Sequence, residues 1–244
     1  MTVTGRAIKV LQSYERRSRA RRPVADAWKA ALDSEVRFWE RTIKNWQQLN
    51  DRFDPDQPLY APLAELVNAP AGSTIKVIDV GAGLISCVGK KLPGCTVENT
   101  AVDALGDEYQ GVLRRAGIEP PVWTEQCDSE KLSAKFGENA FDLAYARNTL
   151  DHSYDPPAAI REIVKIVKPG GVAMLEHAPD EAEEENYLGL HQWNLRCEHG
   201  RFVVWRRDTR IDMGNELAGV ATVEQALDSI PGSPLHRVVL RKAS

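Results

Sequence analysis

Asp79, Gly81, Gly83 and Asp103 are the residues whose types and spacing best suit a nucleotide-like ligand. The segment VIDVGAGLIS (77–86) runs from a β-branched stretch directly into G-x-G, a turn that lets backbone approach a ligand closely. An acidic residue about 20 positions further on suits ribose hydroxyls, and Asp103 stands there. Ser86 takes the place of the third glycine of a dinucleotide turn. Asp79 bears on the ligand's charge. A carboxylate two residues before the turn would sit close to a pyrophosphate, which is unfavourable in a partly dry cleft. A cationic ligand would be attracted instead. Taken singly, Asp79 could equally cap the turn, and Asp103 could mark the entry to the helix before GDEY. Their joint placement around the glycines favours a ligand.

Three histidines could move a proton. His152 follows the fourth expected strand, His177 ends the fifth and His191 stands in LGLHQWN (188–194); imidazole titrates near neutral pH, so each is a candidate base for a hydroxyl acceptor. ENYLGLHQWN (185–194) gathers Tyr187, His191, Gln192, Trp193 and Asn194, ring faces beside hydrogen-bonding groups. That mixture suits a small polar acceptor such as a sugar or a hydroxylated ring. It equally suits a helix packing aromatic residues on a sheet edge. Asp151, Glu176 or Asp180 could join the histidines around a metal. No compact H-x-x-x-H element is present, so no metal site is assigned. Cys87, Cys95, Cys127 and Cys197 form no C-x-x-C pair and are expected as reduced thiols.

The elements that must position these groups alternate. IKVIDV (75–80), TVENTAVDA (96–104), PPVWTEQCD (120–128), FDLAYAR (141–147) and GVAMLEHA (171–178) are expected strands. A short helix is expected after the glycine turn, through Val88. Tyr109, Val112, Leu113 and Ala116 mark a second helix, closed at Gly117. Ile160, Ile163, Val164 and Val167 mark a third, stopped by KPGG (168–171). RFVVWRR (201–207) and HRVVLRK (236–242) complete the strands. The alternation predicts a doubly wound α/β sheet with right-handed crossovers. Upstream, Val36, Trp39, Ile43, Trp46 and Leu49 form a helical stripe with Asp33 and Ser34 as caps. Two units are expected: a helical cap or lid over 1–70 and a ligand-binding domain over 71–244, divided by the proline-punctuated DRFDPDQPLYAPL (51–63).

The 244 residues carry a formal charge of −4, which disfavours nucleic acid as a general partner. Arg16, Arg17, Arg19, Arg21 and Arg22 are expected to be a solvated helix face, and acidic EAEEE (181–185) a solvated loop edge. No apolar run approaches the roughly 20 residues that span a bilayer, and no apolar stretch follows the arginines as an export signal would require. A cytoplasmic location is expected.

Taken in order, VIDVGAGLIS, AVDALGDEY (101–109), CDSEKL (127–132), AFDLAYARNTLDHS (140–153) and VKPGG (167–171) resemble the motifs of class I S-adenosylmethionine-dependent methyltransferases. The resemblance spans roughly 73–178. It implies a Rossmann-like, mostly parallel seven-stranded sheet with its last strand antiparallel, and S-adenosylmethionine as cofactor, whose ammonium and sulfonium suit Asp79. It also implies that Gly81, Ala82 and Gly83 pass along the cofactor and that Asp103, with Ala104 beside it, takes the ribose hydroxyls. Asp128 would take the adenine amino group, Ser129 would offer its N–H to the ring, and Arg147 or Asn148 would approach the methionine carboxylate or methyl group. Ile85 stands where glycine is often found, and ARNT replaces the N/D-P-P-Y/F run of enzymes that methylate nucleic-acid bases. The expected activity is methylation of a hydroxyl on a small polar metabolite or sugar. The alternatives are an NAD(P)-dependent oxidoreductase, a non-catalytic subunit of the same fold, and an RNA methyltransferase drawing on the arginines.

Overall fold

A computed structural model describes residues 24–47 and 51–244. Arg16, Arg17, Arg19, Arg21, Arg22 and Leu49 lie outside the described residues, as do the side chains of Asp33 and Trp46. In chain order the strands are β1 (Thr74–Val80), β2 (Lys91–Leu92), β3 (Cys95–Asp103), β4 (Thr124–Gln126), β5 (Phe141–Arg147), β6 (Val167–His177), β7 (Asn194–Glu198), β8 (Arg201–Arg206), β9 (Thr209–Asp212), β10 (Ala221–Leu227) and β11 (His236–Lys242). The helices are α1 (Val24–Gln47), α2 (Ala61–Ala64), α3 (Gly106–Ala116), α4 (Leu132–Phe136), α5 (Pro156–Ile166), α6 (Glu181–Glu184) and α7 (Met213–Glu216).

The main sheet runs β10-β11-β6-β5-β1-β3, with β2 and β4 both paired to β3. β3, β1, β5 and β6 are parallel, and β11 runs antiparallel between β6 and β10. Val80 of β1 pairs with Val102 and Ala146, so the ends of β1, β3 and β5 open on the same edge of the sheet. That edge is where parallel α/β sheets bind ligands. Ile78, Ala144, Ile160 and Ile163 fill the core on one face, while Val77, Tyr145, Leu59 and Leu63 fill the other. Leu59 and Tyr60 also donate backbone N–H groups to Lys91 and Val88, so the chain just before β1 is tied to the sheet. On α1, Val36, Trp39 and Ile43 pack against Leu84, Ile85 and the α3 residues Tyr109 and Leu113.

The structure corrects five expectations. Ser34 caps nothing, because α1 begins at Val24 and the Ser34 hydroxyl donates to the Ala31 carbonyl within the helix. The sheet has eight strands rather than seven, because β2 adds a short arm beside β3. RFVVWRR is not its sixth strand. β8 lies in a separate antiparallel sheet, β7-β8-β9, and β10 takes the place beside β11. β10 is an edge strand that buries mainly Ala221, so its sequence lacks the apolar signal that the better buried β8 carries. β4 is shorter than expected, since Pro120 and Pro121 have no N–H for a ladder. No helix follows the glycine turn among residues 81–90. Among the described residues, no helix is long and apolar enough to cross a membrane.

Candidate functional site

Two adjoining cavities open at this sheet edge and share Glu35, Gly81, Asp103, Tyr109, Thr149 and His152. The glycine turn forms their floor. Gly81 and Ala82 both donate N–H to the Val102 carbonyl, at 2.8 and 3.0 Å, which folds the turn back on β3. Gly81 has φ +71°, and a Cβ there would lie 1.9 Å from Thr149 Oγ1. Asp103 Oδ2 accepts the Gly83 N–H at 3.0 Å and Oδ1 the Leu105 N–H at 2.9 Å. Burial pushes Asp103 up to about 6, against the pull of those two bonds.

Asp79 is buried beneath the turn and explains the missing helix. Its Oδ2 accepts the Ser86 hydroxyl at 2.7 Å and the Cys87 N–H at 3.1 Å, so 84–88 wraps the carboxylate instead of coiling. Burial raises the Asp79 pKa and, together with Asp79, pushes the Cys87 thiol up to about 12, far from a thiolate nucleophile. One cavity continues to Ala104, Cys127, Ser129 and Ser153. The other continues to Asp79, Ala82, Gly83, Arg147 and Asn148. Arg147 ends β5 beside Glu176. Burial works against its charge, but Tyr145, Cys87 and Glu176 more than offset this. Glu176 is itself buried and held by Arg237 at 2.6 Å and the Tyr145 hydroxyl at 2.7 Å.

Next to His152 the turn after β5 meets the loop before β7. His191 Nδ1 lies 2.8 Å from Asp151 Oδ2 and 3.2 Å from His152 Nε2, and His152 Nε2 lies 3.4 Å from the same carboxylate oxygen. Burial would raise the Asp151 pKa, yet His152 and His191 pull it down to about 2, so it is ionised at neutral pH. Burial lowers the His191 pKa, but Asp151 raises it by more. Such a cluster can take a proton, or hold a cation. Its side chains offer the metal-ligating types that the sequence spacing did not reveal.

Of the expected residues, Asp79, Gly81, Ala82, Gly83, Asp103, Ala104, Ser129, Arg147 and Asn148 line the cavities. Asp128 does not, because its carboxylate accepts Lys131 Nζ at 2.6 Å. Tyr187, Gln192, Trp193 and Asn194, expected at the acceptor, line neither cavity, and their side chains brace the loop. Gln192 Nε2 bonds the Tyr187 and Gly189 carbonyls, each at 3.0 Å. Asn194 is fully buried, takes the Glu183 N–H and donates to the Tyr187 hydroxyl. Trp193 packs on the core. His177, the third candidate base, stands apart from His152 and His191. It is buried at the end of β6, outside both linings, and burial pushes it down to about 3. Glu35, Tyr109, Thr149 and Ser153 line the site without having been singled out. Thr149 stood in the ARNT run, beside residues already marked.

Residues 78–175 match a protein family described as a methyltransferase domain. The chain is similar to phosphoethanolamine N-methyltransferase 3 of Arabidopsis thaliana, 31% identical over 101 residues, which are 41% of this chain and 20% of that protein. It is also similar to the ubiquinone biosynthesis O-methyltransferase of Xanthomonas axonopodis pv. citri (strain 306), 31% identical over 132 residues, 51% of this chain and 54% of that one. The chain thus spans at most about half the length of these relatives. Among solved structures, the CurJ carbon methyltransferase shares the fold at a TM-score of 0.51 and 18% identity, over 74% of this chain and 51% of that one.

Proposed function

We propose that this chain, which carries a class I S-adenosylmethionine-dependent methyltransferase domain, methylates a hydroxyl of a small polar metabolite or sugar. The observation that carries this reading is the pair of adjoining cavities. Both are lined by Asp103 and Gly81 at one side and by His152, the nearest member of the imidazole–carboxylate cluster, at the other. Asp103 takes the ribose hydroxyls, Gly81–Gly83 borders the cofactor, and the segment with Ala104 and Ser129 receives adenine. Asp128 joins it there only if its carboxylate leaves Lys131. Asp79 and Arg147, opposite in charge, suit the ammonium and carboxylate of the methionine end, with Asn148 beside them. α1 serves as the cap, since Leu32 and Glu35 reach into the lining.

In the reaction an acceptor oxygen forms a bond to the methyl carbon as the S–CH3 bond breaks in line, and the sulfonium leaves as a neutral thioether. A neutral alcohol is a poor nucleophile, so its proton must be removed at the acceptor side. Alignment and water exclusion supply the rest. A nicotinamide dinucleotide fits less well, because 81–90 forms no helix whose N-terminus could face a pyrophosphate. Calorimetry with S-adenosylhomocysteine, NAD and NADP tests the cofactor. Binding of S-adenosylhomocysteine alone is expected, and binding of a pyridine nucleotide instead would overturn the reading. A screen of hydroxylated metabolites for S-adenosylhomocysteine release then tests the acceptor.

A further inference from the structure

We propose that Asp151, His152 and His191 form a binding site for one divalent transition-metal ion at the acceptor side of the cavity. Asp151 and His152 lie on the 3-10 turn Leu150–His152 after β5, and His191 arrives from a loop 40 positions beyond Asp151. That loop is shaped for the delivery. Asn186 and Tyr187 both adopt positive φ, and the Gln192 N–H bonds the Asp151 carbonyl at 3.2 Å, tying the two segments together.

The ligand atoms form a triangle with sides of 2.8, 3.2 and 3.4 Å. Metal–nitrogen and metal–oxygen bonds of about 2.1 Å place neighbouring ligand atoms about 3.0 Å apart at right angles and about 3.4 Å apart at tetrahedral ones. The triangle therefore fits one face of a single coordination sphere. Protons alone serve it poorly. Each neutral imidazole carries one N–H, so at most two sides of the triangle can be hydrogen bonds. The third side sets two lone pairs or two N–H groups against each other, whereas a cation satisfies all three atoms. Two imidazoles and one carboxylate suit iron, manganese, cobalt or zinc, and three protein ligands leave positions open. His152 lines both cavities, so an open position lies within reach of a bound acceptor. If the methyl-transfer reading holds, the ion would lower the pKa of the acceptor hydroxyl as metals lower that of water.

The test uses the full chain, freed of metal by a chelator and titrated with Co(II) and Mn(II). Visible ligand-field bands and calorimetry are expected to report one Co(II) per chain. Asp151→Asn and His191→Gln should each weaken binding by about 100-fold or more, beyond the usual effect of outer-shell changes. Near-ultraviolet circular dichroism checks that each variant remains folded, and His152→Gln serves if one does not. No stoichiometric uptake by the wild type, or equal affinity in folded variants, would overturn the site. S-adenosylhomocysteine binding is measured on the same samples. Metal uptake without it keeps the site and removes the methyltransferase reading, whereas the reverse removes the metal site alone.

Discussion

Thr149 closes over Gly81: a Cβ at the glycine would sit 1.9 Å from the threonine Oγ1. The first turn of the cofactor side and the exit of β5 are therefore packed against each other, and Gly81 answers two constraints at once. Its φ of +71° disfavours an L side chain by about 1–2 kcal/mol, and overpacking adds about 1–3 kcal/mol. Gly81→Ala should lower the unfolding midpoint and abolish S-adenosylhomocysteine binding. At Gly83, φ +63°, the added Cβ meets no protein atom within 4 Å, so Gly83→Ala should cost stability only through the backbone, while its Cβ faces the cavity and weakens cofactor binding less completely than Gly81→Ala. Denaturant unfolding and calorimetry on both variants check the contrast.

If Asp103 takes the ribose hydroxyls as proposed, cofactor affinity should depend on pH. Its pKa is raised to about 6 from an unfolded 3.8. A raised acid favours the fold most when protonated, so that stabilising contribution is lost as pH rises from 3.8 through 6. Ribose recognition has the opposite demand, since the carboxylate must be ionised to accept two hydroxyl protons. Affinity for S-adenosylhomocysteine should be flat above pH 7 and fall below pH 6, approaching about tenfold per unit. Asp103→Asn should bind weakly at every pH and lose this slope. Titration calorimetry between pH 5 and 8 decides it.

The parts of the fold that bury continuous apolar strands were legible. IKVIDV and FDLAYAR are central strands, HRVVLRK is the antiparallel strand, and Gly117 ends α3 as its spacing predicts. The glycine turn and Asp103 were legible because local backbone geometry restricts the residue type. What failed was whatever depended on distant partners. β10 shows little of its own pattern because it is an edge. The loop at 84–88 departs from a helix because Asp79 captures Ser86 and Cys87 from below. Gln192 and Asn194 looked like ligand contacts, yet they brace their own loop. Asp151 and His152 are neighbours in the chain, but His191 joins them only through tertiary folding, so spacing left the set unassigned among other acidic partners.

The buried Glu176 should be a costly residue to unpair. It is 1% exposed and holds Arg237, whose other neighbour is Tyr60. Arg237→Met removes the cation that hydrogen-bonds Glu176 and leaves the carboxylate with Tyr145, Tyr60 and the charge of neighbouring Arg147. A loss of about 3–5 kcal/mol is expected from stranding such a charge. Adding Glu176→Gln to that variant should recover part of the loss, which a double-mutant cycle in urea would measure. No recovery would mean that Arg237 acts through packing alone.

α1 contributes Leu32, Glu35 and Trp39 to the cavity linings, and the proposal that it moves as a cap can be tested. Ile43 is 2% exposed and meets Leu84, Ile85 and α3, while Glu35 and Leu32 on the same helix face the cavity. A bound cofactor would touch both α1 and the glycine turn and so add contacts between them. Hydrogen exchange at residues 31–43 should therefore slow when S-adenosylhomocysteine binds. Ile43→Ala removes about 2–5 kcal/mol of packing at a core site. Because α1 docks on the surface of the sheet domain, that loss should appear as faster exchange in α1 and weaker cofactor binding, with little change in exchange of β1 and β5. If exchange in α1 is unaltered by the ligand while Ile43→Ala destabilises the whole chain, the helix is a fixed brace and does not open.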